Sequence, residues 1–348
     1  MSNHTTHSKN VWRIIKINHN SLIMNKLFSI LILFFVLFAC SKDDTENAGN
    51  WVKQSDFEGV ARSSAVSFVI DNTVYVGLGF NVDQDIEYLS DFWQYNSTGD
   101  YWKKVADFPG GGRIGAFAFT VNGKAYVGTG YNGKEKLKDV YEYDPKTNVW
   151  TKKADFGGSA RYGTVGFSIG SNGYVGTGYD GSETRDFWIY NPTSDLWTQT
   201  VSMGGSKRRD AVSFIIDGKA YVGTGIANGV YQTDLWLFDP VAVTWTQKAA
   251  LNYDDSWTII RRYAVAFTLN NKGYVTLGEY SGVRNDIWEY DPVLDTWDSK
   301  TAFESSSRQE AITFNINNKA YVGLGRSSSY YFDDIWEFRP LDAYDEDD

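Results

Sequence analysis

Apolar and polar residues alternate in short runs along most of this chain, and the runs come in pairs separated by turn residues. AVSFII and KAYVGTG flank Asp217-Gly218, a hairpin signal. DLWLFD and TWTQK then flank a turn beginning at Pro240. The pattern predicts four short strands, and a pattern of this kind recurs along the chain at roughly 50-residue intervals, as repeat architectures require.

The repeat can be followed residue by residue. Arg-x-x-x-x-x-Phe occurs at Arg62–Phe68, Arg113–Phe119, Arg161–Phe167, Arg208–Phe214, Arg261–Phe267 and Arg308–Phe314. A Gly-x-Gly element follows in step, its second glycine at Gly79, Gly130, Gly178, Gly225, Gly278 and Gly325; in the fifth copy Thr276 replaces the first glycine. Next come the aromatics Trp93, Tyr141, Trp188, Trp236, Trp288 and Trp336, and nine residues after the first five of these lie Trp102, Trp150, Trp197, Trp245 and Trp297. Gly128-x-Gly130-x-x-Gly133 has dinucleotide-fingerprint spacing, but a strand rather than a helix is expected after it, and the element recurs. It reads as architecture, because the fingerprint works only where the glycines open a helix.

This set of features resembles kelch repeats: an apolar first strand, a Gly-rich end to the second, an aromatic in the third and a Trp in the fourth. The resemblance spans about 50–340. It implies an all-β fold, a six-bladed β-propeller of kelch type in which each blade is a four-stranded antiparallel meander. The sixth repeat has no tryptophan nine residues after Trp336. Trp51, however, lies eleven residues before Arg62, a gap that four other blades repeat. The strand near Trp51 is therefore expected to complete the last blade and close the ring, with Tyr344 a weaker rival for that slot.

The segment before the repeats reads differently. The first 40 residues carry four basic groups and no acidic one, so without them the formal charge falls from −10 to −14. Residues 1–23 read as a leader that is untranslated or disordered, and 24–39 as a signal peptide with a short apolar run. Leu37-Phe38-Ala39-Cys40 resembles a bacterial lipobox, which makes Cys40 a lipid anchor. Residues 40–49 form a tether, and 341–348 an acidic tail. The resemblance implies a lipoprotein of a diderm bacterium, anchored at the outer membrane and either facing the periplasm or exposed on the surface; a monomer is expected. An acidic domain is a poor partner for nucleic acid.

In such a meander the loops between second and third strands share one end with the crossings between blades. The length variation falls there, in 80–90 and 250–260, so this end is the expected functional face. Six arginines head the first strands at that end, and Asp91, Asp139, Asp186, Asp234, Asp286 and Asp334 lie there too. One structural Arg–Asp pair per blade is favoured over a basic ring for an anion. Residues that break the repeat stand out more: Trp257 inside the longest insertion, Glu279 and Arg326 after Gly-x-Gly, and Asp210, Tyr263 and Glu310 two residues after the arginine. With Arg308, these are the candidate ligand-binding residues. Asn81, Asp83, Asp85 and Glu87 alternate like calcium ligands but lack the glycine of a calcium turn, and no metal or cofactor is expected.

All three histidines precede Met24, and Cys40 is the only cysteine. Catalysis by Ser-His-Asp or Cys-His and His-based zinc binding are excluded from the propeller. The copper radical chemistry of some kelch enzymes is argued against for the same reason. The expected function is a membrane-anchored binding module that recognises a glycan or an envelope protein partner. The alternative is a non-redox carbohydrate enzyme resembling sialic-acid mutarotases, and a third possibility is an envelope assembly protein. An enzyme would carry a buried carboxylate with a perturbed pKa near the axis.

Overall fold

The computed structural model describes residues 49–96, 99–251, 259–345 and 347. Cys40 and the leader, signal and most tether residues lie outside these, as does Trp257. Among the described residues there is no helix, and hence none long and apolar enough to cross a membrane.

Six four-stranded antiparallel sheets make up the domain. In blade 1, Val66–Ile70, Thr73–Gly77, Phe92–Asn96 and Tyr101–Val105 pair in chain order. In blade 6 the fourth strand is Asn50–Lys53, which pairs with Ile335–Arg339 in the register Trp51↔Phe338. Ring closure by the strand at Trp51 is as the spacing predicts, and Tyr344 is exposed instead. The Trp51 side chain is fully buried, with Phe303 and Phe338 at 4.8 and 4.7 Å, and its Nε1–H donates to the Thr301 carbonyl at 3.1 Å. One aromatic of this size removes about 150–250 Å² from water. Here it joins the first described strand to the last.

Each blade is closed at its upper end by the same ion pair. Arg62 is fully buried, and its two terminal nitrogens meet the Asp91 carboxylate at 2.6 and 2.9 Å. Its Nη1 also donates to the Leu78 carbonyl at 3.1 Å, and Nε to Val60 at 2.8 Å. Trp93 Nε1–H donates to the same carboxylate at 2.7 Å. The five other blades repeat the Arg–Asp pair. These arginines spend their donors on the fold, since a buried charge is tolerated only when paired and hydrogen-bonded.

Arg308 is one of them. It is fully buried, pairs with Asp334 and lies over the Phe332 ring at 3.8 Å. Its place among the ligand-binding candidates is corrected: nothing of it reaches solvent.

The Gly-x-Gly elements end second strands. Their middle residues are left-handed, from Leu78 at φ 60° to Leu324 at φ 56°. A Cβ on Gly79 would come within 2.6 Å of the Ser63 carbonyl oxygen, so the backbone approaches there too closely for any side chain.

Candidate functional site

The first strands line the axis, and the residue two beyond each structural arginine turns over at its mouth. All six such residues are left-handed: Ser64, Gly115, Gly163, Asp210, Tyr263 and Glu310, with φ between 53° and 66°. Their backbones link across blades. Gly163 N–H donates to Gly115 O, Asp210 to Gly163, Tyr263 to Asp210, Glu310 to Tyr263 and Ser64 to Glu310, at 2.9–3.3 Å. Holding a Tyr or a Glu in this conformation costs about 1–2 kcal/mol, which the cross-blade hydrogen bonds help to offset. The conformation recurs in every blade and is architectural. What differs between blades is the side chain each position carries.

Those side chains divide the mouth in two. Besides the left-handed residue, each blade presents the residue just after its arginine and the residue just after Gly-x-Gly, which bridge each other. Blades 1 to 3 place Ser63, Ile114 and Tyr162 opposite Phe80, Tyr131 and Tyr179, with no charge among them. Blades 4 to 6 place Arg209, Arg262 and Gln309 opposite Ile226, Glu279 and Arg326. Between the halves lies a cavity of about 160 Å³ lined by Tyr162, Gly163, Asp210, Tyr263 and Glu310 among others. Below it a second space, walled by small residues such as Ala116, Ala211 and Ala264, continues along the first strands.

Asp210 is the central group. Its side chain is only 6% exposed. Its Oδ2 is buried with no hydrogen-bond partner among the described residues, and Arg209 Nε stands 3.4 Å away, also without a hydrogen bond. Burial, reinforced by the nearby Glu310 charge, pushes the Asp210 carboxyl up to about 7, against the opposing pull of Arg209, Arg262 and a hydrogen bond from Tyr263. Tyr263 is driven upward by the same burial and by the charges of Asp210 and Glu310.

The other charges are paired more tightly. Arg262 Nε meets Glu279 Oε2 at 2.8 Å, and Tyr231 Oη–H donates to the same oxygen at 2.6 Å. Burial would raise Glu279, but these two hydrogen bonds prevail and hold its carboxyl below the ordinary range. Arg326 forks onto Glu310 at 2.8 and 3.3 Å. Arg209 is held by cation–π contact over Tyr179 at 4.8 Å and by donation to Tyr162 Oη at 3.1 Å, with Glu183 at 3.9 Å.

Asp210, Tyr263 and Glu310 thus meet at one cavity, with Glu279 and Arg326 on the same side of the mouth. Arg209, Arg262 and Tyr162 are mouth residues that the sequence reading did not single out. Each follows directly after a structural arginine, and that adjacency is their signal. Asn81, of the alternating acidic run, is instead buried and fixes its own loop, donating to Ala61 O at 2.6 Å and accepting from Asp83 N at 2.9 Å.

The profile of the KLHDC2/KLHL20/DRC7 Kelch-repeats domain matches residues 44–208. The solved structure of YjhT superposes with a TM-score of 0.69 at 17% identity, covering 81% of this chain and 95% of that one.

The domain is a six-bladed kelch propeller.

Curated proteins similar to this propeller include the N-acetylneuraminate epimerases of Shigella sonnei (strain Ss046), 34% identical over 84 residues, and of Yersinia enterocolitica serotype O:8 / biotype 1B, 34% over 85 residues. The first match covers 24% of this chain and 23% of the relative, the second 23% and 22%. The chain thus spans under a quarter of the length of the curated relatives it matches. These likenesses correct the expectation of a glycan- or protein-binding module. The relatives are enzymes by name, and the alternative reading, a non-redox carbohydrate enzyme, fits them better. Trp257, one of the candidate ligand-binding residues, lies outside the described residues.

Proposed function

We propose that this kelch propeller is a non-redox enzyme that interconverts the anomers of a sialic-acid-like keto sugar acid at the mouth of its axis. The observation that carries this reading is the Asp210 carboxylate: buried, left without a hydrogen bond on Oδ2, lining a cavity, and shifted to about 7. A general base works best when its pKa lies near the operating pH.

The chemistry needs only proton transfers. Asp210 takes the proton from the anomeric hydroxyl, the bond from the anomeric carbon to the ring oxygen breaks, and the electron pair goes to the ring oxygen. That oxygen takes a proton from solvent or from an acid of the mouth. The open-chain keto acid rotates and closes on the other carbonyl face, and the protons return by the reverse route. Arg209, whose Nε has no hydrogen bond, is the cation placed to hold the substrate carboxylate.

The reading is supported by the names of the curated relatives and by a fold that the YjhT structure shares. NMR exchange spectroscopy on N-acetylneuraminate tests it. Anomer exchange faster with protein than in buffer, and lost in Asp210→Asn, is the expected result. Exchange at the buffer rate with folded protein would refute it.

A further inference from the structure

An arc of aromatic rings runs round the mouth from blade 6 to blade 3, with Lys136 Nζ 5.8 Å from the centroid of the Tyr179 ring. From blade 6 through blade 3, Tyr331, Phe80, Tyr88, Tyr131, Tyr162 and Tyr179 form a chain with successive centroid distances of 6.3, 5.1, 6.4, 5.7 and 5.6 Å. Phe80 and Tyr88 come from the long loop that distinguishes blade 1, and Tyr88 is seated by glycines. A Cβ on Gly133 would meet its ring at 2.7 Å, and one on Gly112 its carbonyl oxygen at 1.9 Å. That insertion bridges the gap between blade 6 and blade 2. All six rings are partly exposed, and the interplanar angles run from 45° to 78°, so no neighbouring pair is stacked face to face. In blade 3 the arc touches the proposed site: Tyr162 lines the cavity of Asp210 and accepts from Arg209.

A single sugar acid at Asp210 would leave most of this arc unused. We infer that the arc is a subsite for further sugar rings, and that the preferred substrate is an oligosaccharide whose free reducing end is the sugar acid held at Asp210. Blades 4 to 6 take the charged reducing end, and Tyr131 and Tyr88 stack on the apolar faces of the sugars that follow, away from the reacting carbon. This rests on the function proposed above, but it can be tested without turnover.

The test is calorimetric titration of wild type and of Tyr131→Ala with N-acetylneuraminate and with its α2,8-linked trimer, together with anomer-exchange rates for both sugars. Tyr88→Ala serves as a second variant should Tyr131→Ala fold poorly. The expected result is that the trimer binds wild type roughly tenfold more tightly than the monomer, and that Tyr131→Ala removes this advantage while leaving monomer binding unchanged. Equal affinities for the two sugars, an advantage that survives in both variants, or no binding of the trimer would overturn the inference. Tighter trimer binding without anomer exchange would uphold the subsite and reject the proposed reaction.

Discussion

A Cβ built on Gly163 would lie 2.4 Å from Oδ1 of Asp210, and the Asp210 N–H donates to the Gly163 carbonyl at 3.0 Å. The smallest residue at the mouth therefore makes room for the carboxylate of the next blade. Gly163→Ala removes that room and places a side chain at φ 66°. Its expected effect is a stability loss of about 1–2 kcal/mol in denaturant titrations. Anomer exchange should fall by more than the stability change explains, because the carboxylate must move.

Asp210 also makes stability depend on pH. Its carboxyl titrates near 7 in the fold, above its ordinary value of 3.8. Between these values the native state holds a proton that the unfolded chain releases, so this group's contribution falls as pH rises from about 4 to about 7. The slope from one such group is at most about 1.4 kcal/mol per pH unit. Asp210→Asn should flatten this part of the profile and be relatively more stable at pH 8 than at pH 5, as urea midpoints would report.

Arg308 and Arg326 are both ligand-binding candidates from the sequence, and the fold separates them. Arg308 is fully buried, whereas the Arg326 side chain is 32% exposed. Arg308→Ala leaves the Asp334 carboxylate without its partner in a mostly buried place and should cost about 3–5 kcal/mol. Arg326→Ala should cost about 1 kcal/mol or less. Thermal unfolding of the two variants side by side separates a structural arginine from a mouth arginine.

Closure through Trp51 is tested by Trp51→Ala. Removing a fully buried indole should cost about 3–5 kcal/mol. Blade 6 should then lose amide protection first, ahead of blades 2 to 5, in hydrogen exchange.

The blades, their count and the closing strand were legible because each rests on a spacing that repeats: Arg to Phe, Gly-x-Gly, and Trp to Arg. The mouth was legible only in part. Asp210, Tyr263 and Glu310 stand out because they replace small residues at a repeated position. Arg209 and Arg262 were hidden beside Arg208 and Arg261, since one register of the repeat accounts for one arginine and leaves its neighbour looking redundant. The aromatic arc was hidden for another reason. Tyr88 and Tyr331 lie in loops of unequal length, and only the folded ring brings them to either side of Phe80. The backbone links among left-handed residues had no sequence signal, because Ser, Asp, Tyr, Glu and Gly all occupy that position.

The central claim is that the Asp210 carboxylate moves protons on a sugar acid near neutral pH. The most direct measurement is the pH dependence of kcat/KM for N-acetylneuraminate anomer exchange, by NMR, in wild type and in Asp210→Asn. The wild-type rate should rise through an apparent pKa near 7, and the variant should lose about 10²–10⁴-fold at the plateau. A variant that matches wild type across the range, or a wild-type profile with no inflection between pH 5 and 9, would contradict it.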